Sequence, residues 1–182
     1  EQKAILTWDS FNVGRETDLA FNQGGADWVA LNRVTGASAD PSQILGSIKA
    51  EDTVLILNQN GIIFGGASQV NVRNLVASTA DITNDAFLES GIYSNLAGQN
   101  YVPSFTDAGG AVTVEAGAQI STESQYNGLT LYAVGSGTTI DNVAIKNGTD
   151  DGVEFFGGTV SASNFYLENN EDDAIDWTEG WN

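Results

Sequence analysis

A repeat of 22 residues in the last third of the chain constrains the fold most strongly. When residues 139–155 are laid over residues 161–177, asparagines meet asparagines, aspartates meet aspartates, and Val153 meets Ile175. A second shift of 22 residues towards the N-terminus places Leu131 over Val153. Strand-like pieces joined by Gly, Asn and Asp corners, with a period in the low twenties, are typical of a parallel β-solenoid. In that fold each turn buries its inward side chains on those of the next turn.

Short β patterns dominate the remainder of the chain, and helical periodicity is missing almost everywhere. The strand-like segments are residues 4–8, 28–31, 53–57, 61–64, 69–72, 111–114 and 129–132. One helical turn is predicted over residues 40–46, where an acid and a proline precede a glycine. At about 22 residues per turn, the 182 residues would form about eight turns and a rod of roughly 40 Å. We therefore predict an all-β protein, a right-handed parallel β-helix (β-solenoid) with a strand-rich N-terminal cap.

The composition excludes several classes of function. The chain contains no Cys and no His, so disulfide frameworks, thiolate or imidazole zinc sites and histidine-dependent nucleophiles are excluded. A formal net charge of -18, from 24 acidic and 6 basic residues, argues against nucleic acid and anionic lipid as partners. No apolar run approaches the ~18 residues that a membrane helix needs, so we expect no membrane insertion. The absence of Cys mildly favours export through a pore that takes an unfolded chain.

The acidic residues are concentrated in residues 74–182, which carry sixteen acids and a single cation, Lys146. If 22 residues make one turn, six carboxylates from two successive turns lie side by side, and like charges that face each other across strands repel. Solvent, protonation or a hard cation such as Ca²⁺ would have to compensate. Two interpretations stay open, a calcium site and a solvated acidic edge. The six residues are Asp150, Asp151, Glu154, Asp172, Asp173 and Asp176.

We predict no catalytic residues in this region and no enzymatic activity for the chain. Two carboxylates at the right separation would suit a glycoside hydrolase, but a lyase would need a cationic base beside its calcium. Lys146 is the one candidate base, and its expected neighbour in the next turn, Glu168, favours an ion pair instead. Aromatic residues that recur in successive turns are interpreted as core residues rather than as a sugar-binding surface. They are Phe155, Phe156, Phe165, Tyr166, Trp177 and Trp181.

Aligned asparagines at the corners of the repeat have two interpretations. Asn142 falls over Asn164, and Asn147 falls over Asn169. Identical amides stacked in this way form side-chain ladders in other stacked β assemblies. Asn also favours turns whether or not a ladder forms, so an ordinary turn role stays open.

Residues 4 to about 122 carry a resemblance to a known family. Five blocks occur in the family's order and spacing, namely residues 8–14, 29–36, 41–46, 57–65 and 70–79. They resemble the N-terminal secretion domain of two-partner secretion exoproteins, which include filamentous haemagglutinin and related haemolysins and adhesins. The family's usual Asn-Pro-Asn-Gly block is Asn58-Gln59-Asn60-Gly61 here. From about residue 126 the acidic repeat resembles, less specifically, right-handed β-helices of bacterial surface and pectate-lyase-like proteins. We therefore expect a secretion domain at 1–122 and continuing β-helix turns at 123–182.

The resemblance implies transport rather than turnover. It implies a chain that crosses the periplasm unfolded, is recognised by the periplasmic POTRA domains of a TpsB-type outer-membrane β-barrel transporter, and folds outside the cell. It further implies a monomer, secreted or at the surface of a Gram-negative bacterium, with no required cofactor. Residues of two blocks then act in recognition or nucleation, or else only in turns and core packing. They are Asn58, Asn60, Gly61, Asn71 and Asn74.

Two rival functions come from other classes. One is a calcium-dependent carbohydrate-binding or polysaccharide-lyase-like β-helix that uses the acidic residues. The other is a purely structural stalk segment of an adhesin. All three hypotheses share one fold, so the fold alone does not separate them.

Overall fold

The computed structural model describes residues 2–25, 27–38, 40–91, 93–94, 102–103, 105–122, 129–141, 143–148, 150–178 and 180–181. In these residues the chain winds into a parallel β-solenoid of about six turns. The predicted fold class is therefore confirmed. Connections between parallel strands of one sheet are right-handed in almost all proteins, which is the hand that we predict from the sequence.

The strands follow one another in chain order as turns of the coil. The first turn contains β1 (Lys3–Trp8) and β2 (Asp18–Phe21), and the second contains β3 (Val29–Val34), β4 (Ser42–Ile44) and β5 (Ser47–Ala50). The third contains β6 (Thr53–Leu57), β7 (Ile62–Phe64) and β8 (Gln69–Val72). The fourth begins with β9 (Asn74–Ser78), is interrupted by α1 (Asn84–Ser90), β10 (Tyr93–Ser94) and β11 (Val102–Pro103), and resumes with β12 (Val112–Val114) and β13 (Gln119–Thr122). The fifth contains β14 (Leu129–Val134), β15 (Thr139–Asp141) and β16 (Ala144–Lys146). The sixth contains β17 (Val153–Gly158), β18 (Ser161–Ser163) and β19 (Tyr166–Glu168), and β20 (Ile175–Thr178) opens a further turn.

Successive turns stack strand on strand, and the described strands pair in parallel between turns. The long sheet has the order β1-β3-β6-β9-β14-β17-β20 and so includes a strand from every turn. A second sheet has the order β4-β7-β12-β15-β18, and a third has the order β2-β5-β8-β13. The pair β16-β19 continues the third face, because β16 lies against β13. Equivalent residues of neighbouring turns therefore lie about 4.8 Å apart.

The 22-residue spacing is confirmed for the last turns. Val153 pairs with Ile175 in the long sheet, and the other two faces repeat with the same spacing. The earlier shift is wrong, because Leu131 pairs with Phe155 rather than with Val153, at a spacing of 24 residues. A slip of two residues keeps each side chain on the same side of its strand, so the apolar pattern does not distinguish the two registers.

The predicted helical turn at residues 40–46 is also wrong. The segment contains the strand β4, with Ser42 and Ile44 buried and Gln43 exposed between them. Ile44 forms a bridge with Val13 of the first turn, and β4 pairs with β7 of the third. Alternating burial with strand pairing on both sides outweighs the helix-start signal of the preceding proline.

A short helix that we did not predict interrupts the fourth turn. Thr83 caps α1, because its Oγ1 accepts a hydrogen bond from the Ala86 amide at 3.2 Å, and Gly91 ends it with a φ of 72°. Within the described ranges, no helix is long and apolar enough to cross a membrane. An insertion that contains α1, β10 and β11 separates β9 from β12 within the fourth turn and uses residues that would otherwise form further turns. This is why the coil has about six turns rather than the predicted eight.

Two apolar clusters stabilise the coil. The inner cluster fills the coil from Phe11 and Val13 in the first turn to Phe155 and Val160 in the sixth. The ring of Trp8 contacts that of Phe11 edge-on, with centroids 5.5 Å apart, so aromatic side chains close the first turn. The outer cluster lies on the other side of the long sheet and is smaller. It consists of Leu31, Leu55, Leu57, Val76, Ile82 and Phe87.

Both interpretations of the corner asparagines hold where the structure describes them. Asn147 and Asn169 have positive φ angles of 58° and 56°, and Asn169 Nδ2 donates to Asn147 Oδ1 at 3.2 Å. These residues therefore act as left-handed turn residues and as a ladder. Asn164 also has a positive φ, of 54°, and donates to Asp141 Oδ1 at 2.7 Å. Its predicted ladder partner, Asn142, lies outside the described residues.

Candidate functional site

The first candidate site is the Asn58 corner, residues 58–61, which follows β6. Asn58 is 2% exposed. Its Nδ2 donates to the Asp40 carbonyl at 3.2 Å and to Ser42 Oγ at 3.1 Å, and its Oδ1 accepts from the Asn60 amide at 2.9 Å. One side chain therefore closes its own turn and fastens it to the preceding turn of the coil.

Asn60 and Gly61 complete the corner. Asn60 is exposed, and its Nδ2 donates to the Ser38 carbonyl at 3.1 Å. Gly61 has a φ of 126°, and a Cβ there would lie 3.0 Å from the Ala111 carbonyl oxygen. Glycine is thus required both for the backbone conformation and for the close approach. Gln59, which stands where the resembling family has Pro, donates from Nε2 to the Asp107 carbonyl at 3.0 Å and so joins the corner to the segment before β12.

The structure does not bring all five predicted recognition residues together. Asn71 is exposed in β8 and pairs with Lys49 and Ser121 of the adjacent turns. Asn74 is 5% exposed, and its Nδ2 donates to Thr53 Oγ1 at 2.7 Å. Its Oδ1 has no hydrogen-bond partner in the part of the chain that the structure describes. Asn74 lies at the start of the strands of the long sheet and the Asn58 corner at their end, roughly 16 Å away at strand spacing.

A depression beside the Asn58 corner was not predicted from the sequence. It has a volume of about 280 Å³ and is lined by Asp9, Asn12, Asp40 and Asn58 among others. Asn12 Oδ1 accepts from the Gln43 amide at 2.8 Å, so a first-turn side chain orders the second turn. The sequence contained a signal for the importance of Asn12, because this residue lies within the first of the blocks that carry the resemblance.

The second candidate site is the acidic stack, the six acids around the start of β17 and β20. One carboxylate oxygen from each of Asp150, Asp151 and Asp172 lies within 4.8 Å of the others. The same holds for Asp151, Glu154 and Asp176. The sequence therefore predicted the stack correctly for these five residues, with Asp151 shared between the two groups.

Asp173 lies beside Asp151, as the 22-residue shift predicts, and contacts it through the backbone. Its backbone amide donates to Asp151 Oδ1 at 2.9 Å, and its side chain belongs to neither carboxylate group of the described residues. Asp151 is only 7% exposed, whereas Asp172 and Asp173 are exposed. The stack is thus a buried carboxylate with a more exposed acidic rim.

Electrostatics in the stack disfavour the charged form of its inner residues. Burial raises the pKa of Asp150, and the charge of Asp172 adds to the rise. Burial also raises the pKa of Asp151; the Asp173 amide opposes this, and the charges of Asp150, Asp176 and Asp172 reinforce it. The arrangement therefore takes up a proton more readily than free carboxylates do, and it has the oxygen ligands that Ca²⁺ prefers. Calcium binding here stays a prediction.

The predicted ion pair between Lys146 and Glu168 is confirmed, with Lys146 Nζ 3.0 Å from Glu168 Oε2. Tyr166 donates its hydroxyl to the same oxygen at 3.0 Å, and Lys146 Nζ lies 4.7 Å from the centre of the Tyr166 ring. These contacts raise the pKa of Lys146, first through its hydrogen bond to Glu168. Lys146 is therefore held as a cation, which does not suit the role of a lyase base.

The predicted core role of the aromatic residues holds only in part. Phe155 is buried and stacks on Trp181, with ring centroids 4.4 Å apart. Tyr166 and Trp177 are 55% and 60% exposed, so their predicted core positions are wrong. Trp177 pairs with Phe155 across the last two strands of the long sheet, but no further described strand covers it.

Comparison with known proteins relates parts of this chain to two groups. A family model described as a pectate-lyase like beta helix domain matches residues 106–182. A heme/hemopexin-binding protein of Haemophilus influenzae strain Rd is 40% identical over 77 residues, which are 42% of this chain and 8% of that protein. A second heme/hemopexin-binding protein of Haemophilus influenzae is 39% identical over 80 residues, 44% of this chain and again 8% of the relative. The similarity thus covers less than a tenth of either curated relative.

The raised pKa of Asp151 predicts a pH effect on stability. The folded protein holds a proton that the unfolded chain releases, so the stability from this group is full at low pH and is lost as pH rises through the folded-state pKa. Asp151→Asn keeps the acceptor for the Asp173 amide and should raise the melting temperature at pH 7 without calcium by a few degrees. On acidification it should gain less stability than the control Glu171→Gln, an exposed acid outside both groups. Equal pH profiles for the two variants would contradict this account.

The acidic stack also predicts a response to calcium. Millimolar Ca²⁺ should raise the melting temperature of the wild-type chain, because a ligand that binds only the folded state stabilises it. Asp172→Ala should abolish the shift, and Glu171→Gln should retain it. Calorimetry with and without chelator measures the effect, and an unchanged wild-type melting temperature would leave the solvated acidic edge as the correct interpretation.

Proposed function

We propose that this chain is the secretion module of a two-partner secretion exoprotein, recognised by a transporter and folding as a β-solenoid outside the cell. The Asn58 corner is the observation that carries the proposal. It falls in a block that resembles the family's, and it shapes the junction of neighbouring turns. Similarity to a small fraction of much longer relatives is consistent with one module of a large protein.

The burial of the predicted recognition residues limits the stage at which a partner can contact them. Asn58 and Asn74 are 2% and 5% exposed, so a partner can contact their side chains only before the coil forms. Asn60 and Asn71 are exposed and stay accessible afterwards. We therefore place recognition by the POTRA domains of a TpsB-type outer-membrane transporter on the unfolded chain, in the periplasm. The folded monomer is then released or displayed at the surface of a Gram-negative cell.

Folding at the exit of a transporter suits the observed architecture. Each turn of a solenoid contacts mainly its neighbours, so turns add one after another as the chain emerges. Closing a loop of about 22 residues costs little entropy compared with long-range pairing. No Cys is present in the chain, so disulfides cannot lock it in the periplasm.

The name of the relatives does not transfer to this chain. Those proteins are named for binding heme and hemopexin, and this chain matches 8% of each. It contains no His, Met or Cys, which are among the usual axial ligands of heme iron. We propose a non-catalytic transport role for this segment.

A binding assay tests the proposed function. Chain unfolded in urea and diluted onto immobilised POTRA domains should bind, whereas folded chain should bind much more weakly. Asn58→Ala should reduce binding of the unfolded chain at least tenfold, since it removes a contacted side chain. The control Val54→Ala removes a fully buried side chain outside the matched blocks. It should lower folding stability by about 1–3 kcal/mol but leave binding unchanged. Equal binding by both variants would show that Asn58 acts only in the folded coil.

Carbohydrate binding is a second candidate, favoured by the grouped carboxylates of the acidic stack. One carboxylate oxygen from each of Asp150, Asp151 and Asp172 lies within 4.8 Å of the others. Calcium would bridge these acids to an acidic polysaccharide. Polygalacturonate should then bind in calcium and not in chelator, and Asp172→Ala should weaken binding at least fivefold. If polygalacturonate binds neither in calcium nor in chelator, this candidate is eliminated. If the unfolded chain also fails to bind the POTRA domains, the stalk hypothesis is favoured.

A further inference from the structure

The outer surface of the long sheet carries an apolar row that runs along the coil axis. Ile5, Leu31, Leu55 and Val76 occupy equivalent positions in the first four turns. Leu31 and Leu55 are fully buried and Val76 is 4% exposed, although all point away from the inner core. Outward side chains of a solenoid normally face water, so the burial of this row means that another segment of the chain covers it.

The same row changes character after the fourth turn. The position equivalent to Val76 is Thr130 in the fifth turn, Glu154 in the sixth and Asp176 in the last strand. Polar and acidic residues thus replace apolar ones at a single point along the axis. That point is also where the insertion leaves the coil, between β9 and β12. The sequence therefore distinguishes covered turns from uncovered ones.

Residues 80–91, which we name the outer clasp, cover the apolar row. Ile82 and Phe87 of the clasp are 1% and 0% exposed and belong to the outer cluster. Helix α1 presents Phe87 to the sheet, whereas its neighbour Leu88 is 50% exposed. Burial of an aromatic side chain in this way contributes a large part of the stability of a small cluster.

Lys3 of the first turn and Arg33 of the second turn bind the outer clasp. Lys3 Nζ donates to the carbonyls of Phe87 and Leu88, both at 3.0 Å, across 84 and 85 residues of sequence. The Phe87 carbonyl also accepts from the Gly91 amide at 3.0 Å, and a cation at a helix C-terminus is favourable because the helix dipole is negative there. Arg33 Nε lies 2.8 Å from Asp81 Oδ1, and Arg33 also donates to the Ile82 carbonyl. The clasp therefore binds the first and second turns directly, although it follows β9 of the fourth turn.

We infer that the outer clasp makes residues 3–91 one cooperative folding unit that locks only after the fourth turn has begun. In a plain solenoid each turn is coupled only to its neighbours, and the terminal turn frays most easily. Here the first strand is coupled to a segment more than eighty residues later, so it opens only when the clasp opens. In β17 and β20 the equivalent residues are Glu154 and Asp176, and these turns depend on stacking against their neighbours. This inference does not depend on a transporter.

Native-state hydrogen exchange, followed by mass spectrometry on the full chain, tests the inference. In the wild type, amides of β1 should be about as protected as those of β9. Phe87→Ala should increase exchange in β1 and β3 at least tenfold, although neither strand is altered and β1 is over eighty residues away. Lys3→Met, which keeps the apolar stem and removes the donors, should do the same to the clasp and to β1, on the order of tenfold. Amides of β17 should be unaffected in both.

The matched control is Leu88→Ala, which truncates an exposed side chain and keeps the carbonyl that Lys3 contacts. It should leave β1 and β3 at the wild-type rate. If Phe87→Ala does not fold, Lys3→Met carries the test. Faster exchange confined to residues 80–91, with β1 and β3 unchanged, would overturn the inference and show a peripheral helix. That result would leave the proposed transport function untouched, because the assay contains no transporter.

Discussion

The register between successive turns is the constraint on which the rest of the structure depends. Parallel backbone pairing places each residue about 4.8 Å from its equivalent in the next turn, so the effect of a side chain is multiplied along the axis. Apolar residues are stabilised by this stacking because each buries the next, as Leu31 and Leu55 do. Asparagines gain a hydrogen bond, as Asn169 on Asn147 shows. Carboxylates are destabilised in their charged form, because burial, reinforced by the charges of neighbouring acids, raises the pKa of Asp151. The core, the ladder and the acidic stack are three outcomes of one geometry.

Corners, by contrast, are maintained by individual side chains rather than by stacking. Asn58 satisfies two acceptors of the previous turn and one amide of its own with a single side chain, and Gly61 allows the close approach that the next segment needs. Such a residue is essential for the folded state and is hidden by it. In the transport role that we propose, the same asparagine serves twice, first as an exposed recognition residue and then as a structural one.

Much of the C-terminal part could be predicted from sequence because stacking turns a period into contacts. The 22-residue shift correctly predicted the pairing of Val153 with Ile175, the Lys146–Glu168 ion pair and five members of the acidic stack. The neighbouring register, with Leu131 on Phe155, was missed because a shift of two residues preserves the pattern of inward side chains. The hydrogen bond from the Asp173 amide to Asp151 could not be predicted, because a backbone contact leaves no side-chain signal in the sequence. The clasp was missed because a seven-residue helix has too few turns to show periodicity.

The N-terminal turns have contacts that span several turns, whereas the later turns contact only their neighbours. The two ends of the coil should therefore resist mechanical tension differently. In a stack of equal turns, a pull along the axis detaches the terminal turn first, because a terminal turn contacts only one neighbour. Lys3 and Arg33 connect the first two turns to the outer clasp, which follows β9 of the fourth turn, so a load applied at that end is shared across three interfaces. The turns of β17 and β20 have acidic residues at the outward position and would detach one at a time. Extension would proceed in small steps, followed by one large rupture of the N-terminal block.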